Sequence, residues 1–329
     1  MLASLAVALV LAMAAGVSLG AVAVPPAELF AAVGRALRGV PGPVSDAVVV
    51  DLRLPRVLLA ALVGASLAGA GVLYQALFRN PLADPFILGV SSGAGLGVTA
   101  VLAATAGATG LRLVGVPAAA FAGALATIVL VAGLARREGR MDVASLLLAG
   151  IAVSYTLAAL TSFLLVFAKQ SMASVVFWMM GGLTGASWGQ LRMVAPMFAL
   201  GAVVPLLTAR ELNIVLLGDE RASQLGVDVE RLKRALLAAG SLLVAGAVAV
   251  SGLVGFVGLM TPHMVRLAFG PDHRLVTPAS LLAGATAMVL ADLAARTVLA
   301  PVELPVGIVT ALAGGPFFVW LLLRHGRRA

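Results

Sequence analysis

The residues that could carry chemistry are few in this sequence and stand apart from one another. It has 14 acids, 3 histidines and no cysteine, which excludes thiolate nucleophiles, disulfides and Cys-ligated metals. His263, His273 and His325 share no spacing typical of a metal site. A Walker A loop needs Gly before its lysine, but Lys169 and Lys233 follow Ala and Leu. We therefore predict no catalytic residue, metal ligand or cofactor in this chain.

Asp292 is the one acid that falls deep within a predicted helix. Arg296 follows four residues later, on the same helical face, where the two side chains can form an ion pair. An intramembrane enzyme or a transporter driven by an ion gradient would need more buried ionisable groups, because such groups are tolerated mainly for function. The sequence disfavours both classes, and the secondary transporter is kept as the alternative.

The helices that must position these groups lie in a membrane. Of the 329 residues, 61% are hydrophobic and 11% are charged, whereas soluble domains are about 25% charged. So few polar residues could not cover the surface of a soluble protein of this length. The chain is therefore predicted to be surrounded by lipid.

Ten uncharged stretches of 17 or more residues predict an all-α polytopic protein with about ten transmembrane helices. Two stretches do not correspond to one helix each. The stretch 170–191 has a Gly-rich centre typical of an interfacial turn, and the stretch 235–265 holds one span and most of a second. We predict one transmembrane domain over residues 1–329.

The lysines and arginines predict the orientation. Fourteen of the 22 fall in segments on one side, which the positive-inside rule assigns to the cytoplasm together with both termini. The longest connections are then an external loop at 25–56 and a cytoplasmic loop at 210–234. The expected location is the inner cell membrane.

The loop at 210–234 has the pattern of two short helices. Its apolar residues recur at helical spacing, at Ala222, Leu225, Val229 and Leu232. Gly226 divides the segment, and Asp219 and Asp228 are predicted to cap the two helices. The segment either lies on the membrane surface or docks into a groove of a cytoplasmic partner.

Arg53 and Arg56 flank Pro55 directly before a predicted span. One arginine there is explained by snorkelling to lipid headgroups. Two, joined in space by Arg296, would also form an electropositive rim suited to carboxylates of an external partner.

The motifs of the chain occur in a fixed order. They are RLPR at 53, QALFRNPLADP at 75, GVSSGAG at 89, WMMGGLTGASW at 178, GDERASQLGV at 218, GFVGLMTPHMVR at 255, DHR at 272 and ELPVGIVTALAGGPFFVWLL at 303. In the third motif, Gly89, Gly93 and Gly97 form a small-residue ridge for close helix packing. Together the motifs resemble the FecCD-type permeases, the ABC importer subunits for ferric siderophores, haem and cobalamin.

The resemblance implies a type II ABC importer fold like that of the cobalamin permease, with ten helices per subunit. It also implies a homodimer, two cytoplasmic ATPase subunits that bind ATP and Mg²⁺, and one external or periplasmic substrate-binding protein. No nucleic-acid partner is expected. The substrate class is a large metal chelate, with an iron complex favoured over cobalamin only because most family members carry iron.

Site residues follow from the resemblance by position. Arg53, Arg56 and Arg296 resemble the arginines that meet the binding protein. Asn80 and Leu82 match the cytoplasmic end of the pathway, as do Val143 and Ala144, which are apolar where the cobalamin permease has hydroxyl side chains. The residues that resemble the ATPase-coupling helices are Asp219, Glu220, Ala222, Leu225, Gly226 and Val229.

Overall fold

The computed structural model describes residues 1–20, 24–40, 42–105, 109–137, 140–168 and 171–325, and it is an almost wholly helical bundle. Its long helices are α1 Leu2–Ser18, α4 Leu54–Leu77, α5 Val90–Ala104, α6 Thr109–Leu134, α7 Val143–Phe167, α9 Trp188–Leu207, α12 Val229–Ser251, α13 Val257–Phe269, α14 His273–Thr297 and α15 Val306–His325. These confirm the predicted count of about ten helices.

The remaining elements are short and connect the long helices. They are α2 Pro26–Leu37, α3 Val44–Ala47, a π-helix Val48–Arg53, α8 Met172–Met179, α10 Ala209–Val215 and α11 Asp219–Gln224, with strands β1 Arg136–Arg137 and β2 Arg140–Met141 paired antiparallel. Within the described ranges, six segments are long and apolar enough to cross a bilayer by themselves. The chain is thus a multi-pass membrane protein.

Helix α4 is the centre of the bundle, because almost all of its side chains are buried. It packs against α14 at Gly64, where a Cβ would overlap the carbonyl oxygen of Gly284. On another face, the Tyr74 ring lies against Gly240 of α12, and the Tyr74 hydroxyl is 3.0 Å from the Ser241 hydroxyl. Small residues therefore set the spacing of the central helices.

The predicted glycine ridge packs α5 against α6. A Cβ at Gly93 would meet the carbonyl oxygen of Gly123, and one at Gly97 would meet that of Ala119. Gly89 has a φ of 80° directly before α5, a conformation that favours glycine. The packing role predicted for this motif is confirmed.

The two exceptional stretches are as predicted. In 170–191 the short helix α8 is followed by a turn, and α9 begins at Trp188. In 235–265 the helix α12 stops at Ser251 and α13 starts at Val257. Gly258 of α13 packs on the carbonyl oxygen of Leu67, half-way along α4, so α13 begins inside the bundle.

The segment 25–56, predicted as an external loop, is mainly helical. It contains α2, α3 and the π-helix, and the last of these leads directly into α4. Helix α2 begins with Pro26 and has Glu28 in its first turn, both favourable at a helix N-terminus. The Arg35 guanidinium bridges to the Asp46 carboxylate at 2.7 Å and holds α2 against α3. The predicted connection therefore consists largely of short helices, and its external location stays a prediction.

Large apolar side chains remain exposed on the outer helices. Examples are Leu148, Tyr155 and Phe163 on α7 and Leu312 and Val319 on α15. Since water would penalise so wide an apolar surface, these faces fit contact with lipid or with another transmembrane subunit.

We expect Gly64→Ala to destabilise the fold by about 1 to 3 kcal/mol, because its methyl group would collide with the backbone of α14. The loss is measured as a lower thermal unfolding midpoint of the detergent-purified protein. Gly95→Ala is the matched control, since a Cβ at Gly95 of α5 has nothing within 4 Å. Equal midpoints for the two variants would contradict the close packing of α4 and α14.

Candidate functional site

Three predicted site arginines meet at one end of the bundle, which we call the arginine end. Arg53 closes the π-helix, Arg56 lies in the first turn of α4 and Arg296 lies in the last turn of α14. They come together because α4 and α14 pack antiparallel. A Cβ at Gly20 would lie 3.0 Å from Arg53 Nη2 and 3.5 Å from Arg296 Nη1. The predicted proximity of the three arginines is confirmed.

Two of these arginines hold the end of α1. Arg53 Nη1 donates to the carbonyl oxygens of Val17 and Ser18, at 2.9 and 3.1 Å. Arg296 donates to the carbonyl oxygens of Gly16 and Leu19. The last carbonyls of a helix have no partners within it, and guanidinium donors also complement the negative end of its dipole. Arg53 and Arg296 are each only 8% exposed, so both have a structural role.

Arg56 instead pairs with acids. Its Nε donates to Asp292 Oδ1 at 3.0 Å, and its Nη1 donates to Glu303 Oε2 at 3.0 Å. The predicted pair between Asp292 and Arg296 is also present, at 3.4 Å. The sequence pattern missed Arg56 as the main partner of Asp292, because the two lie 236 residues apart.

The arginines at this end outnumber the acids paired with them. Asp292 pairs with Arg56 and Arg296, and Glu303 pairs with Arg56, so three arginines lie beside two acids. The cluster borders a cavity of about 320 Å³ that reaches Arg53, Arg56, Arg296 and Glu303. Docking of an external protein at these arginines stays a prediction.

The predicted coupling residues lie at the opposite end, which we call the α11 end. Ala222 and Val229 are buried, whereas Glu220 and Leu225 are exposed. Gly226 has a φ of 86° and separates α11 from α12, as predicted. The exposed side of α11 is free to meet another molecule.

Of the two helix caps predicted for this segment, one is confirmed and one is wrong. Asp228 caps α12, accepting from the backbone N–H of Arg231 at 2.9 Å, as predicted. The prediction that Asp219 caps α11 is wrong, because Gly218 occupies that position and makes no side-chain cap. The Asp219 carboxylate binds Lys233 and Arg79 instead. The second helix is also not short, since α12 continues for 23 residues into the bundle.

The predicted pathway residues form two segments beside α11. In the first gate segment, 79–82, the Asn80 side chain accepts from the backbone N–H of Leu82 at 2.9 Å and fixes a tight exposed turn. In the second gate segment, 141–144, Val143 and Ala144 open α7 after its cap Asp142. A cavity of about 440 Å³ lies between both segments and Asp219. Of the residues predicted for the pathway and for coupling, Val143 and Asp219 thus line one cavity, and both roles stay predictions.

A match to the model of the FecCD transport family extends over residues 7–324. The chain belongs to the FecCD transport family. It is 44% identical over 285 residues to the cobalamin import system permease protein BtuC of Halobacterium salinarum, a match that covers 87% of this chain and 76% of that one.

Two further similarities of this FecCD chain agree with its bundle architecture. The hemin transport system permease protein HmuU of Yersinia pestis is 40% identical over 277 residues, covering 84% of this chain and 83% of that one. A solved structure of an inward-facing ABC transporter of the metal-chelate type superposes with a TM-score of 0.86 at 32% identity, covering 98% of each chain. The fold is therefore that of a type II ABC permease.

Arg296→Met is expected to lower stability by about 2 kcal/mol or more, because the carbonyls of α1 and the buried Asp292 each lose a charged partner. The midpoint of thermal unfolding in detergent measures the change. Arg192→Met is the control, since Arg192 is exposed and its side chain donates to a carbonyl of its own helix. A midpoint for Arg296→Met as high as that of the control would contradict the structural role.

Proposed function

We propose that this chain is the membrane-spanning permease subunit of a binding-protein-dependent ABC importer for a large metal chelate. The proposal rests on the contact of α11 with the first gate segment through Asp219 and Arg79, and on its link to the second through Lys233 of α12. An exposed short helix that touches the end of a pathway is suited to pass on movement from a partner protein. The named relatives import cobalamin and hemin, which supports a chelate as substrate. An iron complex such as a ferric siderophore or haem is favoured, with cobalamin next.

The energy source is ATP hydrolysis in partner subunits. This sequence has no Walker A loop, so ATP and Mg²⁺ would be bound by two cytoplasmic ATPases. Their docking surface is the coupling segment, where Leu225 is 61% exposed and offers an apolar contact. Asp219, Ala222 and Val229 face the bundle and would hold the segment to this chain.

We further propose that the partner proteins lie on the two sides of an inner cell membrane. The excess of lysines and arginines toward the α11 end supports cytoplasmic termini and a cytoplasmic α11 end. One substrate-binding protein would then dock externally on Arg53, Arg56 and Arg296. A second copy of the chain would cover the exposed faces of α7 and α15 and form a homodimer with the pathway along its axis.

Transport follows as alternating access. ATP binding would displace α11, and the gate segments beside it would open or close the pathway at that end. The binding protein would deliver the chelate at the arginine end and supply most of the specificity. This chain would release the substrate rather than grip it, because its helices carry few polar side chains.

The alternative is a secondary transporter driven by an ion gradient. It requires an intramembrane carboxylate that exchanges its counter-ion during transport. Asp292, the acid deepest in a helix, is paired with both Arg56 and Arg296. This double pairing favours a structural role for Asp292 and supports the ABC importer.

Reconstitution in proteoliposomes tests the proposal. The permease is combined with candidate ATPase and binding proteins, and uptake of a ferric siderophore, haem and cobalamin is measured with and without ATP. We expect uptake of one chelate only with ATP and both partners. Uptake by the permease alone on an ion gradient would establish the alternative instead.

Glu303→Gln should strengthen docking of the binding protein. Glu303 occupies Arg56 Nη1, and its neutralisation would raise the excess positive charge of the arginine end. At low ionic strength we expect roughly two- to fivefold tighter binding. Binding of the purified binding protein to the permease in nanodiscs measures the effect.

Asp51→Asn is the matched control for this variant. Asp51 lies in the π-helix and is exposed, and its neutralisation changes the net charge equally. The ion pairs described for Arg56 and Arg296 are with Asp292 and Glu303 and not with Asp51. Equal docking of both variants would refute the role of Arg56 in the rim.

A further inference from the structure

Lys233 is a buried cation in the first turns of α12. It is 6% exposed, and an ammonium group is buried at high cost unless it is paired. Its Nζ lies 2.6 Å from Asp219 Oδ2 and 3.5 Å from Glu230 Oε1. Since Asp219 is the nearer acid and is the first residue of α11, the charge of Lys233 ties α11 to α12.

Asp219 also reaches the first gate segment. Its second carboxylate oxygen accepts from Arg79, the residue directly before Asn80. Arg79 has a φ of 48°, which is uncommon for a residue other than glycine. One carboxylate at the start of α11 therefore holds both Lys233 and the turn that carries Asn80 and Leu82.

The second gate segment is held by α12 through the backbone of Met141. Lys233 Nζ donates to the carbonyl oxygen of Met141 at 3.3 Å, and the Met141 N–H donates to Glu230 Oε2 at 2.9 Å. Met141 directly precedes Asp142, the cap of α7. The carbonyl oxygen of Met141 is thus held by Lys233, which also binds Asp219, and its N–H is held by Glu230.

We propose that Lys233 and Asp219 are a positioning pair that couples α11 to both gate segments at once. The inference rests on the proposed function and deepens it, because it names the side chains that carry motion from an ATPase to the pathway. Lys233 holds Met141 and is held by Asp219, while Asp219 also holds Arg79. Displacement of α11 then moves the first gate segment through Arg79 and the second through Lys233.

The charge balance makes this linkage stiff. Arg79 and Lys233 face Asp219 and Glu230, so two cations meet two acids. If α11 moved away alone, Lys233 would lose its nearer acid in a buried site and keep Glu230, at 3.5 Å, and the Met141 carbonyl oxygen. Because an unpaired buried charge is strongly unfavourable, α11 and its two partners move together.

Lys233→Met tests the linkage in the full complex, reconstituted with its ATPase and binding protein. Methionine keeps the length of the side chain but removes its charge. We expect ATP hydrolysis to continue while the chelate transported per ATP falls about tenfold, within the usual range of coupling between sites. Lys233→Arg, which restores the charge, should recover most of the uptake.

Arg234→Met is the matched control on the same helix. Arg234 is exposed and donates to the carbonyl oxygen of Glu230, so the variant removes one positive charge without touching Asp219. It should transport like the wild type. If Lys233→Met transports as much chelate per ATP as this control, the inference about Lys233 is overturned while the proposed function stands. Absence of ATP-driven uptake by the wild-type complex would overturn the proposed function as well.

A second variant covers the case in which Lys233→Met fails to assemble. The sequence has no cysteine, so Leu82→Cys, at a position 43% exposed, gives a single site for maleimide labelling. With Asp219 intact, trapping the ATPase with ATP and vanadate should change the labelling rate. Addition of Asp219→Asn should abolish that change, and a change that persists would overturn the inference.

Discussion

The close approach of α4 and α14 is the contact on which the positions of the charged groups depend. At Gly64 and Gly284 each helix lies against the backbone of the other, with no side chain between them. Because the two helices run antiparallel, this contact sets Arg56 at the start of α4 level with Asp292 near the end of α14. A larger residue at the crossing would separate the helices and lengthen that ion pair.

The charged side chains at the two ends of the bundle lie beside groups that neutralise them, since isolated charges are costly in an apolar interior. At the arginine end, Arg53 and Arg296 satisfy the carbonyls that end α1, while Arg56 bridges Asp292 and Glu303. At the α11 end, the charge of Lys233 is balanced by Asp219 and Glu230. The cluster at the arginine end connects α1, α4 and α14 to one another. The cluster at the α11 end connects the exposed helix α11 to the two gate segments.

Much of the fold could be predicted from sequence, because lipid demands about 20 apolar residues for each full crossing. The broken stretch 235–265 is also predictable, since Gly252 and Gly255 lie in the interruption between α12 and α13. The helices within 25–56 are harder to predict, because charges interrupt the apolar pattern even though α2 is amphipathic. The cap at Asp228 was predictable from local sequence, whereas the similar pattern at Asp219 predicts a cap that the structure does not have. Distant Lys233 and Arg79 compete for the Asp219 carboxylate.

The sequence by itself determined the membrane location, the helix count, the glycine ridge, the grouping of three arginines and the break at Gly226 between α11 and α12. Only the tertiary structure decided which charges pair, that Arg53 and Arg296 hold α1, and that Lys233 connects α11 with Met141. The physical reason is the distance along the chain over which each kind of interaction acts. Hydropathy, periodicity and caps act within a few turns of one helix, whereas the partner of a buried charge depends on which helices pack together.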